Sequence, residues 1–89
     1  MIEIFGWDPA EFKCNPCLKA KRICETRKLD FEFLALSKSA EPEGKHLQHK
    51  TELYRRADQK GFVVETLPQV FQNGVHIGGF TELKALLNK

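Results

Sequence analysis

The sequence predicts a small α/β domain with the element order β-α-β-α-β-β-α. Three observations carry that expectation. Strand, helix and strand patterns follow one another up to Leu36, a Cys-x-x-Cys pair opens the first helix, and an Asn-Gly dipeptide separates two short apolar runs near the end. With 89 residues, the chain falls below the usual domain size of roughly 100–150, so one domain over 1–89 with one core is expected. Its 42% apolar and 10% aromatic content against 29% charged residues suits a chain that folds alone. So small a domain buries only about 60% of its unfolded surface, so any chemistry must be compact.

Met1 to Phe5 reads as a strand closed by Gly6, and a loop through Trp7, Asp8 and Pro9 leads to Cys14. From Asn15 to Lys28, Cys17, Ala20, Ile23 and Cys24 recur near helical spacing, with Arg27 and Lys28 in the last turn where they suit the negative end of the helix dipole. Phe31 to Leu36 is apolar and aromatic like a buried strand, and strand-helix-strand implies a parallel pair. Ser37 to Lys45, containing Pro42 and Gly44, is a polar connection and the expected mobile segment. Leu47, Tyr54 and Ala57 then mark one face of a second helix ending near Gly61. Gln69 to Gln72 and Val75 to Ile77 form a hairpin about Asn73-Gly74. Gly78-Gly79 breaks the second of these strands, and Leu83, Leu86 and Leu87 give Phe80 to Leu87 its apolar helical face.

Fourteen Lys and Arg against twelve Asp and Glu leave a net charge of +2, far from the basic excess of a dedicated nucleic-acid binder. No run of 18 apolar residues is present to span a bilayer, and MIEIFGWDPAE lacks the basic and apolar regions of a signal peptide, so no membrane association and a cytoplasmic location are expected. Three cysteines cannot all pair within one molecule. A reducing compartment and a working thiol pair fit that count better than a disulfide scaffold.

Cys14-Asn15-Pro16-Cys17 places two sulfurs one helical turn apart at a helix start, within disulfide reach and with Cys14 at the exposed end. An ordinary thiol has a pKa near 8.5, and about 2 kcal/mol of thiolate stabilisation brings it to about 7. The helix N-terminus supplies about 0.3–1 kcal/mol, and a backbone N–H aimed at the sulfur, expected from Cys17, about 1.5–3. Pro16 lacks an N–H, fits the first turn and disfavours helical geometry at Asn15, so it fixes where the helix begins. Cys14 is therefore assigned as nucleophile and Cys17 as the thiol that resolves the mixed disulfide.

A Cys-x-x-Cys pair is also half of a zinc site, which needs four ligands. His46 and His49 offer the other half, but 28 residues intervene between Cys17 and His46, against about 12–15 in finger patterns. The histidines are read as a solvated helix face and no metal site is assigned. Cys24 lies seven residues past Cys17, about 10 Å along the helix and beyond disulfide reach, so it is read as a small buried hydrophobe. Trp7, beside the active-site loop, is either a reporter of redox state or a packed core-edge residue.

IEIFGWD, KCNPCLKAKR, FEF, TLPQVF and HIGGF occur in that order along almost the whole chain. Together they resemble the glutaredoxin family of the thioredoxin superfamily, most of all the small glutaredoxins of bacteriophages, for which the location becomes the host cytoplasm. The resemblance implies a thioredoxin-like fold, a four-stranded mixed sheet flanked by helices, with Pro68 in the cis form facing the thiols. It implies that the Leu67 backbone pairs with an extended peptide or with glutathione as an added strand. It further implies that the γ-glutamyl end of glutathione lies at Gly78, Gly79, Phe80 and Thr81, where free N–H groups of a helix start bind a carboxylate, and that Lys13 holds the other carboxylate. The implied activity is dithiol-disulfide exchange with protein disulfides and glutathione mixed disulfides. Glutathione is then a co-substrate, no cofactor is tightly bound, and a glutathione or thioredoxin reductase stands upstream. Ribonucleotide reductase is the implied recipient and a monomer the implied state. Three departures stand out. Pro16 precedes the second cysteine, as in thioredoxins, Thr81 stands where an acidic residue is common, and the stretch from Ser37 to Glu65 is longer than in compact cellular members. A thioredoxin-like donor, a zinc or iron-sulfur module bridging two protomers through Cys14, and a non-catalytic adaptor are the competing functions.

Overall fold

Alternation along the central strand sorts the core into two layers. The structure, a computed structural model, describes residues 1–88. Strands β1 (Ile2–Trp7), β2 (Phe31–Leu36), β3 (Gln69–Gln72) and β4 (Val75–Gly78) form one sheet in the order β2-β1-β3-β4, interleaved with helices α1 (Asn15–Thr26), α2 (Gly44–Lys60) and α3 (Phe80–Leu87). Ile2 and Ile4 of β1 and Val70 of β3 meet Ala20, Cys24 and Leu83 under α1 and α3. Phe5, Leu34, Leu36 and Phe71 point the other way, onto Leu53 of α2. A two-residue side-chain period thus buries both faces of β1, which pairs parallel with β2 and antiparallel with β3. The expected element order and the mixed four-stranded sheet are both present.

Element ends differ where tertiary contacts outweigh local signals. Gly6 does not close β1: it pairs with Ala35, and Trp7 with Leu36. A Cβ on Gly6 would stand 2.9 Å from Phe33 Cζ and 3.1 Å from Cys17 Cβ, so glycine here lets α1 lie against the sheet. Gly6→Ala is expected to cost about 1–3 kcal/mol through overpacking. Thermal melting checks this, and an unchanged Tm would show that the contact relaxes freely.

Helix α1 ends at Thr26, and Lys28 lies outside it with φ 56°. Arg27 does not serve its own helix's dipole. Its guanidinium reaches α3, where Nη1 donates to Leu87 O at 2.7 Å and Nη2 to Asn88 Oδ1. The α2 helix starts at Gly44, inside the expected connection Ser37 to Lys45, and stops at Gly61, whose φ of 74° suits a left-handed cap and whose N–H donates to Ala57 O. Positive φ at both Asn73 and Gly74 is what a type I′ hairpin turn requires. β4 runs on to Gly78, one residue further than expected. Between β2 and α2, side-chain turns organise the polar connection: Ser39 N–H donates to Ser37 Oγ and Glu41 N–H to Ser39 Oγ. Among the described residues no helix is long and apolar enough to cross a membrane.

Candidate active site

Cys14 sits at the N-cap of α1 with extended backbone, so its side chain turns back over the first helical turn. Cys17 N–H donates to Cys14 Sγ at 3.3 Å, the contact expected from the sequence. The two sulfurs are in disulfide contact with Cα atoms 5.2 Å apart. Cys17 is fully buried against Gly6 while Cys14 retains 7% exposure. The order of accessibility is as expected, but Cys14 is far more enclosed than a helix terminus alone implies, and the Leu67 carbonyl oxygen lies 3.9 Å from its Sγ. Cys24 is a free, buried cysteine, and burial first, then Glu25, pushes its thiol pKa up, so it stays protonated and outside the exchange chemistry.

The Leu67–Pro68 peptide bond is cis, as the resemblance implied. A buried polar chain holds the segment before it. Gln69 Nε2 donates to Thr66 O at 2.8 Å, which leaves Gln69 Oε1 to accept from His76 Nε2–H at 2.7 Å. His76 stacks on Phe62 at 3.8 Å, and burial holds its pKa below the usual histidine value, consistent with a neutral donor.

Leu67, Pro68, Gly79, Phe80 and Thr81 line one open groove of about 390 Å3 together with Pro16. Of the expected binding residues, Lys13 is exposed and stands outside this lining. Thr66 and Glu82 complete the groove. Glu82 changes the expectation of free N–H groups at the α3 start, because its Oε1 accepts the Gly79 N–H at 2.6 Å. That acid is one position beyond Thr81, and the Gly-x-x-Glu spacing of a capping box was the available signal. At Gly78, whose φ is 131°, a Cβ would stand 2.7 Å from Glu82 Cγ, so a side chain there would collide with the acid.

The loop that presents Cys14 is tied down from α2, a role not read from the sequence. Asp8 Oδ2 pairs with His46 Nε2 at 2.8 Å, and Asp8 N–H donates to Leu36 O. Ser37 Oγ donates to Glu11 Oε1 at 2.6 Å, and Glu11 Oε2 lies 3.7 Å from His46 Nδ1. The Ala10 N–H first, then His46, hold the Asp8 carboxyl below its usual range. His49 instead meets Ala35 O at 2.7 Å. The two histidines and the cysteine pair therefore do not assemble the zinc set weighed from the sequence. Asp8, Glu11 and His46 gather on their own.

Comparison with known proteins agrees with this geometry. The glutaredoxin family model matches residues 2–77. The glutaredoxin of Enterobacteria phage T4 is 37% identical over 87 residues, covering 94% of this chain and 95% of that protein. Glutaredoxin 1 of Francisella tularensis, solved in complex with cacodylate, aligns with a TM-score of 0.68 at 30% identity, over 99% of this chain and 96% of that one. Reduced Escherichia coli glutaredoxin aligns at 0.62 with 28% identity, over 98% and 92% of the two chains. With a Cys-x-x-Cys pair in disulfide contact at the head of α1, this chain belongs to the glutaredoxin family, whose members are thiol-disulfide oxidoreductases.

Proposed function

We propose that the chain reduces protein disulfides and glutathione mixed disulfides, with Cys14 attacking and Cys17 resolving. The observation that carries this reading is the Cys17 N–H aimed at Cys14 Sγ at 3.3 Å, since a donor already in place stabilises a thiolate without reorganisation. The Cys14 thiolate attacks one sulfur of the substrate disulfide, forming a mixed disulfide and releasing the other sulfur as a thiolate that takes up a proton. Cys17, as thiolate, then attacks Cys14 Sγ. The second substrate thiol leaves, and the two electrons of the dithiol have passed to the substrate.

In this reading a substrate strand lies along Leu67, whose backbone N–H has no hydrogen-bond partner among the described residues. Glutathione places its γ-glutamyl carboxylate at the Phe80 and Thr81 N–H groups of the α3 start, and its ammonium at Glu82, while Lys13 serves the glycine carboxylate. The protein acts as one domain over 1–89 and as a monomer in a reducing cytoplasm, with ribonucleotide reductase as the recipient that the family resemblance suggests.

The test compares two electron supplies, glutathione with glutathione reductase and thioredoxin reductase alone, each driven by NADPH, with a glutathione mixed disulfide and insulin as acceptors. Turnover supported by glutathione is expected. Turnover with thioredoxin reductase alone would instead make the protein a thioredoxin-like donor, the use that Pro16 beside Cys17 would favour.

A further inference from the structure

The groove beside Pro68 lies toward β4 and α3, but the track through Leu67 does not stop there. On the β2 and α2 side a second groove, about 210 Å3, shares Thr66 and Leu67 with it and is floored by Leu36, Leu53 and Val64. A third, about 400 Å3, shares Trp7, Leu36 and Tyr54 with the second and is bordered by Lys38 and Lys50. Leu67, whose carbonyl lies 3.9 Å from Cys14 Sγ, lines the first two of these three adjoining grooves.

Glutathione cannot fill all three. With its γ-glutamyl end at α3 and its sulfur at Cys14, only the glycine remains beyond the sulfur, a reach of about 3.5 Å. The surface further on is apolar and aromatic, with Tyr54 half exposed, and it ends in positive charge. Lys38 Nζ stands 3.5 Å over the Phe12 ring and 5.1 Å over Trp7, and among the described residues neither Lys38 nor Lys50 is in an ion pair. Of the acids on the adjoining segments, Asp8 and Glu11 are held by His46 and Ser37, and Glu65 lies in the groove next to Leu67.

We propose that the Leu36, Trp7 and Tyr54 groove docks the polypeptide of a protein substrate beyond its disulfide cysteine, as an extended segment carrying an apolar side chain followed by acidic residues. This rests on the oxidoreductase reading above and specifies its partner. Strand addition at Leu67 sets the direction of the segment. Its apolar residue packs over Leu36 and Leu53 beside the Tyr54 ring, an aromatic anchor. Glu65 disfavours an acid at the near end, and Lys38 and Lys50 favour one at the far end, which fixes register by charge as well as by shape.

The test uses short synthetic peptides with one cysteine held as a disulfide to β-mercaptoethanol, flanked on both sides by leucine and then by aspartates or by lysines. The expected kcat/KM favours the acidic peptide about tenfold at low salt and less at high salt. Lys38→Glu combined with Lys50→Glu is expected to reverse that preference while leaving reduction of hydroxyethyl disulfide unchanged. Tyr54→Ala is expected to slow both peptides several-fold without slowing the small disulfide. Equal rates for the two peptides in the parent protein, or a preference that survives the double lysine substitution, overturns the docking site. Failure of the parent to reduce hydroxyethyl disulfide sinks the oxidoreductase reading itself, an outcome separate from the first two.

Discussion

Cys14→Ser is expected to lower disulfide turnover by about 10³-fold or more, because a serine hydroxyl supplies no nucleophilic anion at neutral pH and cannot form the exchangeable bond. Cys17→Ser is expected to behave differently. It keeps the attacking sulfur but removes the resolving one, so with a glutathione mixed disulfide the protein accumulates as a glutathionylated species, visible by intact mass. Cys17 is also fully buried against Gly6, so the folded state of both variants is checked by their melting temperatures. The asymmetry is the informative part. If Cys14→Ser formed the mixed disulfide and Cys17→Ser did not, the roles would be reversed and the Cys17 N–H would no longer explain the choice of nucleophile. Cys24→Ser or Cys24→Ala is expected to leave the chemistry in place, since that thiol is enclosed and protonated.

Arg56→Ala is expected to cost about 3 kcal/mol of stability, a large share of the roughly 4–13 kcal/mol available to a domain of this size. Arg56 projects from α2 over the α2 face of the sheet. Its Nη1 and Nη2 donate to the two oxygens of Glu3 at 2.8 and 3.0 Å, and its Nε donates to Glu52 Oε2 at 2.6 Å. Arg56 and Glu3 are 17% and 18% exposed, so removal of the guanidinium leaves a carboxylate poorly solvated and without its partner. The guanidinium also lies 4.8 Å from the Phe71 ring centroid and 5.3 Å from that of Phe5, so packing is lost along with charge. A fall in Tm of about 12–24 °C follows from the usual scaling.

The pH dependence of that loss distinguishes the charge from the packing. Hydrogen bonds from Arg55 and then Arg56 hold the Glu52 carboxyl at about 2, below its ordinary value of 4.5. A depressed folded-state pKa stabilises the fold above pH 4.5, and that contribution drains away as the pH falls toward 2. After solvent screening, the effect of a carboxylate this exposed is about 1 kcal/mol. Arg55 keeps its hold on Glu52 in Arg56→Ala, so only the share owed to Arg56, a fraction of that roughly 1 kcal/mol, is lost, and the stability gap is expected to narrow by that share between pH 5 and pH 2 in urea titrations. A gap constant over that range would show that Arg56 adds nothing to the ionic hold on Glu52.

Local physics determined what the sequence alone disclosed. The helical period of Ala20, Ile23 and Cys24, the run Phe31 to Leu36 and the turn at Asn73-Gly74 each depend on neighbours a few residues away, and each element formed where its pattern stands. The thiol pair was legible for the same reason. One helical turn sets the spacing, and the Cys17 N–H meets Cys14 Sγ through local backbone geometry. Of the binding set that the family motifs implied, Leu67, Pro68, Gly79, Phe80 and Thr81 line one groove and Lys13 stands outside it.

Tertiary structure alone decided the partners that span the chain. Gly6 looked like a strand stop and is a packing glycine, because the Phe33 ring and Cys17 approach it from other elements. Arg27 looked like a cap for its own helix and caps α3; His46 looked solvated and binds Asp8. The approach of the Leu67 carbonyl to Cys14 Sγ and the adjacency of the grooves past Trp7 and Tyr54 likewise depend on how helices and loops settle on the sheet. Side-chain period and turn chemistry act over one or two turns of chain, whereas these contacts join residues 11 to 60 positions apart, so they exist only once sheet order and register have brought those residues together.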